Sequence, residues 1–273
     1  VEWAARVAGS DGQVGMFGFS YLGATQLLAA VSNPPSLRAI VPGFTASQYF
    51  EGWTYNGGAF ALAFNCSWAN LLAIETAGRS GDLAAMESLV TSLGSANNWF
   101  WSAPLKEYPP LKEKYAPYFF DWLEHPTYDD YWRRWSIDEN YERIDVPALH
   151  IGGWYDIFLS GTIKNFCGIS RGGATERTRN TQKLLVGPWT HMPWSPVGNT
   201  GKTQPSTSTI DDWTLRWFDE ILKNRNTGVL DNPVTVYPVN GDRQDFPSWP
   251  TEEAKTQEWF IHSSGRANSK FGD

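Results

Sequence analysis

Residues 14–23 read Val-Gly-Met-Phe-Gly-Phe-Ser-Tyr-Leu-Gly, an apolar run followed by a serine with glycine to either side. A helix-compatible stretch, Ala24 to Val31, comes next. A strand that turns sharply through such a segment into a helix must hold the central residue, Ser20, in a strained backbone conformation. In return the serine Oγ stands exposed at a sheet end, and the next backbone N–H points to where an oxyanion would form. The usual form of this turn has glycine two residues after the serine, whereas here Leu22 holds that place and Gly23 follows.

A serine presented in this way needs a base and an acid. In a strand–elbow–helix architecture they follow it along the chain, acid first, each in a loop after a later strand. Only four histidines are present. His150 lies inside the apolar run 146–151 and reads as a packed strand residue. His125 precedes Pro126 with no strand before it, and His262 falls in a strand-like segment near the C-terminus. His191 alone follows a short buried-strand pattern (183–187) and sits in a turn-rich loop, Pro188-Trp189-Thr190-His191-Met192-Pro193. By the same logic Asp156 is the acid, because Gly152 and Gly153 let the chain turn tightly after the strand that ends near Ile151. Asp145 precedes that strand and is expected at the opposite end of the sheet. Asp129, Asp130 and Asp138 read as solvated charges in a helical region. Asp156 would orient the imidazole and stabilise it when protonated.

Taken together, Gly-Phe-Ser-Tyr-Leu-Gly, Gly-Gly-Trp-Tyr-Asp and Gly-Pro-Trp-Thr-His resemble the cocaine esterase / X-Pro dipeptidyl-peptidase (CocE/NonD) group of serine hydrolases. Leu215-Arg216-Trp217-Phe218-Asp219 and Trp249-Pro250 resemble it as well. The resemblance implies an α/β-hydrolase fold, with Ser20 as nucleophile, Asp156 as acid, His191 as base and the Tyr21 N–H as one oxyanion donor. It makes Leu22 ordinary, since the group's own pattern is Gly-x-Ser-Tyr-x-Gly. It also implies sheet strands ahead of the elbow, a tyrosine hydroxyl there as second oxyanion donor, and a β jelly-roll domain after the catalytic one. Ser20 arrives almost at once in this sequence, so the chain is expected to be an internal fragment of a longer protein.

The expected organisation is hydrolase core over 1–45, a helical cap insertion over 46–143, core again over 144–230, and the start of a C-terminal β (jelly-roll) domain over 231–273. Within the insertion, Ser80 is expected to cap a helix bearing Leu83, Met86, Leu89, Val90 and Leu93. Thr127 with Asp130 is expected to cap another. Asp211 to Lys223 reads as an amphipathic helix with Trp213, Trp217, Phe218, Ile221 and Leu222 on one face, and 171–177 as a surface loop. In the resembled group the cap shapes the acyl pocket, and Trp53, Trp68 and Phe158 match aromatic positions of that pocket. Fifteen tryptophans suit an apolar pocket as well as a core.

A net charge of −7 argues against nucleic acid and against anionic membrane surfaces. No apolar run approaches the ~20 residues that span a bilayer. Cys66 and Cys167 are too few for a disulfide framework and lack metal-ligand spacing, which favours free thiols in a reducing, cytoplasmic setting. No cofactor or metal is implied, and oligomerisation is left open. The partner expected is a small-molecule ester, an amide or a short peptide. The reading is a serine hydrolase acting by acyl transfer. Its alternatives are X-Pro dipeptidyl-peptidase activity, α-amino acid ester hydrolase or acylase chemistry, and, from another class, a catalytically inactive interaction module.

Overall fold

The computed structural model describes residues 1–95, 101, 104–107, 111–193 and 207–260. The chain runs through β1 (Val14–Phe19), α1 (Tyr21–Val31) and β2 (Leu37–Gly43). A long insertion follows, with a two-residue-strand hairpin β3 (Tyr55–Asn56) and β4 (Ala59–Phe60), then α2 (Leu62–Arg79), α3 (Leu83–Gly94), α4 (Pro117–Glu124) and α5 (Asp130–Arg133). The chain returns through β5 (Ala148–Tyr155), α6 (Leu159–Gly172), α7 (Glu176–Asn180), β6 (Gln182–Thr190), α8 (Thr207–Lys223), β7 (Val234–Val236) and β8 (Gln244–Phe246).

Strands that are apolar on both faces belong in a parallel sheet covered by helices on each side, and β5 and β6 are buried almost end to end. The main sheet has the order β1-β2-β5-β6-β7-β8, parallel throughout except for β8. Alternate residues divide between its two faces. Ala39, Val41, Leu149, Ile151 and Leu185 pack with Trp213 and Trp217 of α8. Ile40 and Ala148 pack with Leu27 and Ala30 of α1 and Ile169 of α6. The result is a helix–sheet–helix sandwich in which β1, β5 and β6 all end on one side, and that common edge is where Ser20, Asp156 and His191 fall.

The insertion has an interior of its own. Cys66, Ala69, Ala73 and Ala77 of α2 pack with Leu89 of α3, Leu111, Tyr115 and Phe119. Small residues at helical spacing along α2 let its neighbours approach closely. A separate cluster of Ala24, Ala46, Trp53 and Phe158 joins the insertion to the sheet edge.

Several local expectations are corrected. Val234–Val236 does not open a jelly roll. It pairs parallel with β6, because Val234 and Val236 complete an apolar cluster with Leu184, Val186 and Phe166. Residues 257–260 carry no strand, and the rest of the strand expected to His262 lies outside the described residues. Ser80 closes α2, and Asp82 caps α3 by accepting from the Ala85 N–H. Asp129, not Thr127, caps the single turn of α5 through the Tyr131 N–H. Residues 171–177 are a helix junction, with α6 running to Gly172 and Thr175 capping α7. The final helix starts at Thr207, earlier than Asp211. Among the described residues no helix is long and apolar enough to cross a membrane, and no group of His, Cys, Asp or Glu is placed to hold a metal.

Candidate active site

Ser20 follows β1 directly and stands at φ 62°, ψ −132°, a region that side-chain-bearing residues rarely occupy and that costs about 1–3 kcal/mol. The turn is held from both sides. The Ser20 N–H donates to Gly43 O at 2.9 Å, and its carbonyl accepts from the Gly23 and Ala24 N–H groups at 2.9 and 3.1 Å. Gly23 is needed for closeness, since a Cβ there would lie 2.9 Å from both Gly43 O and the Thr45 side chain. Tyr21 begins α1, so its N–H is one of the helix's unused first-turn donors, and it has no acceptor among the described residues.

Asp156 follows β5 and His191 follows β6, and those two strands are neighbours. Their approach depends on Gly153, where a Cβ would meet Trp189 O at 2.1 Å. His191 Nδ1 lies 2.8 Å from Asp156 Oδ1, and Nε2 lies 2.9 Å from Ser20 Oγ. A carboxylate only accepts, so Nδ1 carries the proton and Nε2 is left to accept from the serine hydroxyl. The Asp156 side chain is fully buried, with Oδ2 lacking a hydrogen-bond partner among the described residues, while His191 keeps partial access to solvent.

The residues set aside have other positions. His150 is buried in β5, donating from Nε2 to Gln182 Oε1 at 3.0 Å, and burial holds its pKa down at about 4. The donor assignment follows because Gln182 Nε2 is already directed at Val146 O and Thr178 O. His125 pairs with Asp129 in the insertion, and His262 is outside the described residues. Asp145, ahead of β5, accepts from the Thr175 and Thr178 hydroxyls at 2.7 and 2.6 Å, which hold its carboxyl below the usual range. Asp138 is no solvated charge. Its side chain is buried and receives Gln48, Ser136 and Lys164. Cys66 and Cys167 are free thiols, and burial pushes Cys66 up to about 11.

The aromatic candidates divide. Phe158 meets His191 edge-on at 5.0 Å and Trp53 at 4.4 Å, and Tyr49 continues the stack 4.7 Å beyond. Trp68 instead tilts against Tyr21 at 5.7 Å. Phe19, edge-on to His191 at 6.2 Å, and Phe64, against Phe158 at 5.8 Å, join this wall without having been singled out from sequence. Phe19 could have been found there, as the residue before the serine. Tyr21, Leu22, Tyr155, Ile157 and Met192, each within two residues of a relay member, are exposed. Two surface depressions of about 430 and 420 Å³, one beside Val31 and Arg133 and one beside Lys112 and Phe120, include no relay residue.

A parallel sheet with a serine elbow, and an acid and a histidine at the ends of later strands, defines the α/β-hydrolase class. Within that class the chain belongs to the X-Pro dipeptidyl-peptidase (S15) family, whose model matches residues 1–193. It is similar to the cocaine esterase of Rhodococcus sp. (strain MB1 Bresler), 28% identical over 287 residues that cover 100% of this chain and 48% of that protein. The chain thus spans about half the length of the curated relatives it matches. In structure it is similar to a CocE/NonD family hydrolase from Staphylococcus aureus, with TM-score 0.62 and 20% identity over 93% of this chain and 37% of that one. It is similar too to an alpha-amino acid ester hydrolase, with TM-score 0.62 and 22% identity over 91% and 41% of the two chains.

Proposed function

We propose that the protein is a serine hydrolase that cleaves ester or amide bonds through an acyl-enzyme. Ser20 is the nucleophile, His191 the general base and Asp156 the orienting acid. The observation that carries this reading is the continuous relay Ser20 Oγ–His191–Asp156, formed across three strand ends with the imidazole in the competent tautomer. The Ser20 hydroxyl proton passes to His191 Nε2 as Oγ attacks the substrate carbonyl. The oxyanion that forms takes the free Tyr21 N–H, while buried Asp156 balances the imidazolium. His191 then protonates the leaving group, and water repeats the sequence to release the acid.

The insertion over 46–143 acts as a cap in this reading. Trp53 and Phe158 form an apolar wall beside the imidazole, and Trp68 with Tyr21 forms another beside the elbow. An apolar acyl group set against these rings suits an ester substrate, and the relatives' descriptions name an esterase and an ester hydrolase. Labelling of the whole protein with a fluorophosphonate separates a hydrolase from an inactive module, because only an activated serine reacts. A panel of acyl esters against X-Pro anilides then separates esterase from dipeptidyl-peptidase. Labelling that survives Ser20→Ala would reject the assignment.

A further inference from the structure

Gln26 is an anomaly on the inner face of α1. It lies between Ala24 and Leu27, both packed into the core, and is itself completely buried. A buried amide is costly unless both its ends are bonded, and here both are. Gln26 Nε2 donates to Gly18 O at 3.1 Å and to Leu22 O at 2.9 Å, and Oε1 accepts from the Val41 N–H at 3.0 Å. Those three partners surround the nucleophile turn. Gly18 is two residues before Ser20 on β1, Leu22 is two residues after it on α1, and Val41 belongs to β2.

The β2 contact is on the side that faces the elbow strand. The Ile40 and Phe44 N–H groups point to β5, donating to Pro147 O and Ile151 O, whereas Gly43 O receives the Ser20 N–H. Alternation along the strand puts the Val41 N–H on the β1 side with Gly43. One side-chain amide therefore spans the strand that enters the turn, the helix that leaves it, and the strand that anchors its middle.

We infer that Gln26 is a positioning residue for the nucleophile, holding the peptide planes on either side of Ser20 so that Oγ and the Tyr21 N–H keep their directions. The inference rests on the reading of Ser20 as nucleophile. A backbone at φ 62° persists only where its surroundings over-determine it, and Gln26 supplies three of the restraints. Its contacts are all to backbone atoms behind the turn, so it acts on the reactivity of Ser20 and leaves the aromatic walls untouched.

The test uses Gln26→Met, which keeps the length of the side chain and removes its hydrogen bonds, and Gln26→Glu. The glutamate can still accept from Val41 but presents an oxygen to two carbonyls until it is protonated. For the whole protein and both variants, kcat and KM are measured on p-nitrophenyl butyrate together with the rate of fluorophosphonate labelling. Each value is normalised to the folded fraction read from near-UV circular dichroism. The expected result is a fall of ~10- to 100-fold in kcat and in labelling rate, as for misplacement of a reacting group, with KM nearly unchanged. The Gln26→Glu deficit should narrow relative to the parent as pH falls and the buried carboxyl gains the proton it needs to donate. The Gln26→Met deficit should stay constant.

A role confined to stability would lower the folded fraction and leave the rate per folded site at the parent value in both variants, and that result overturns the inference. So does a rise in KM at unchanged kcat. A parent protein in which Ser20→Ala abolishes labelling while both Gln26 variants label normally rejects Gln26 alone. Labelling that survives Ser20→Ala rejects the nucleophile reading beneath it.

Discussion

His150 offers a test in which the magnitude can be worked through. Replacing it with glutamine keeps a donor for Gln182 Oε1 and removes the only titrating group at that place in β5. In the folded protein burial holds His150 neutral down to about pH 4, against 6.5 for the exposed group. Between those values the unfolded chain binds a proton that the folded chain refuses, so folding loses stability as pH falls from 6.5 toward 4. The loss amounts to about 3 kcal/mol at pH 4 and is absent above pH 7. His150→Gln cannot lose this contribution, while every carboxylate titrates alike in both proteins. Urea unfolding followed by tryptophan fluorescence at about pH 7 and about pH 4 should show the parent losing about 3 kcal/mol more than the variant. Near neutral pH the variant should be slightly the less stable, because glutamine fills the imidazole's space imperfectly. Parallel losses in the two proteins would refute the reasoning, since they would mean that folded His150 accepts its proton as readily as an exposed one.

Ser20→Ala and His191→Ala should each lower ester turnover in the whole protein by ~10³-fold or more with little change in thermal stability; near-parental activity in either rejects the relay. Asp156→Asn should preserve the fold and cost ~10⁴-fold in kcat, because the amide no longer imposes the useful tautomer. Asp145→Asn, at the far end of β5, should leave turnover intact, and the reverse pattern would reject the strand-end argument. Phe158→Leu should reduce kcat/KM for benzoyl esters by about tenfold while leaving acetyl esters nearly unchanged, which a comparison of p-nitrophenyl esters checks directly.

What could be read in the sequence was whatever is decided locally. An apolar run announces a strand, so Ser20, Asp156 and His191 could be placed near strand ends. The ends themselves lie further on, because β5 runs through Gly152 and Gly153 to Tyr155 and β6 through Pro188 to Thr190, past the turns expected after Ile151 and Gly187. Elimination among four histidines leads to His191 because His150 sits within its strand and His191 sits past one, and the structure brings His191 against Ser20 and Asp156. Decisions that depend on remote partners were hidden. Val234–Val236 looks the same whether it joins β6 or a separate sheet, and only the apolar edge of Leu184 and Val186 decides. Ser80 and Asp82 are both acceptable caps by type, and the backbone path chose between them. Gln26 was invisible because a polar residue in a largely apolar helix acquires meaning only from partners such as Gly18 and Val41, on two different strands.

The separate interior of the insertion has an evolutionary consequence. Leu89, Leu111 and Phe119 stabilise the helices above the sheet edge without touching the strands that carry Ser20, Asp156 and His191. A lineage can therefore repack those helices and let the insertion drift in size and shape while the arrangement of Ser20, His191 and Asp156 below is inherited unchanged. The place where such drift meets constraint is the small junction of Ala24, Ala46, Trp53 and Phe158, and there a change must also answer to the imidazole that Phe158 rests upon.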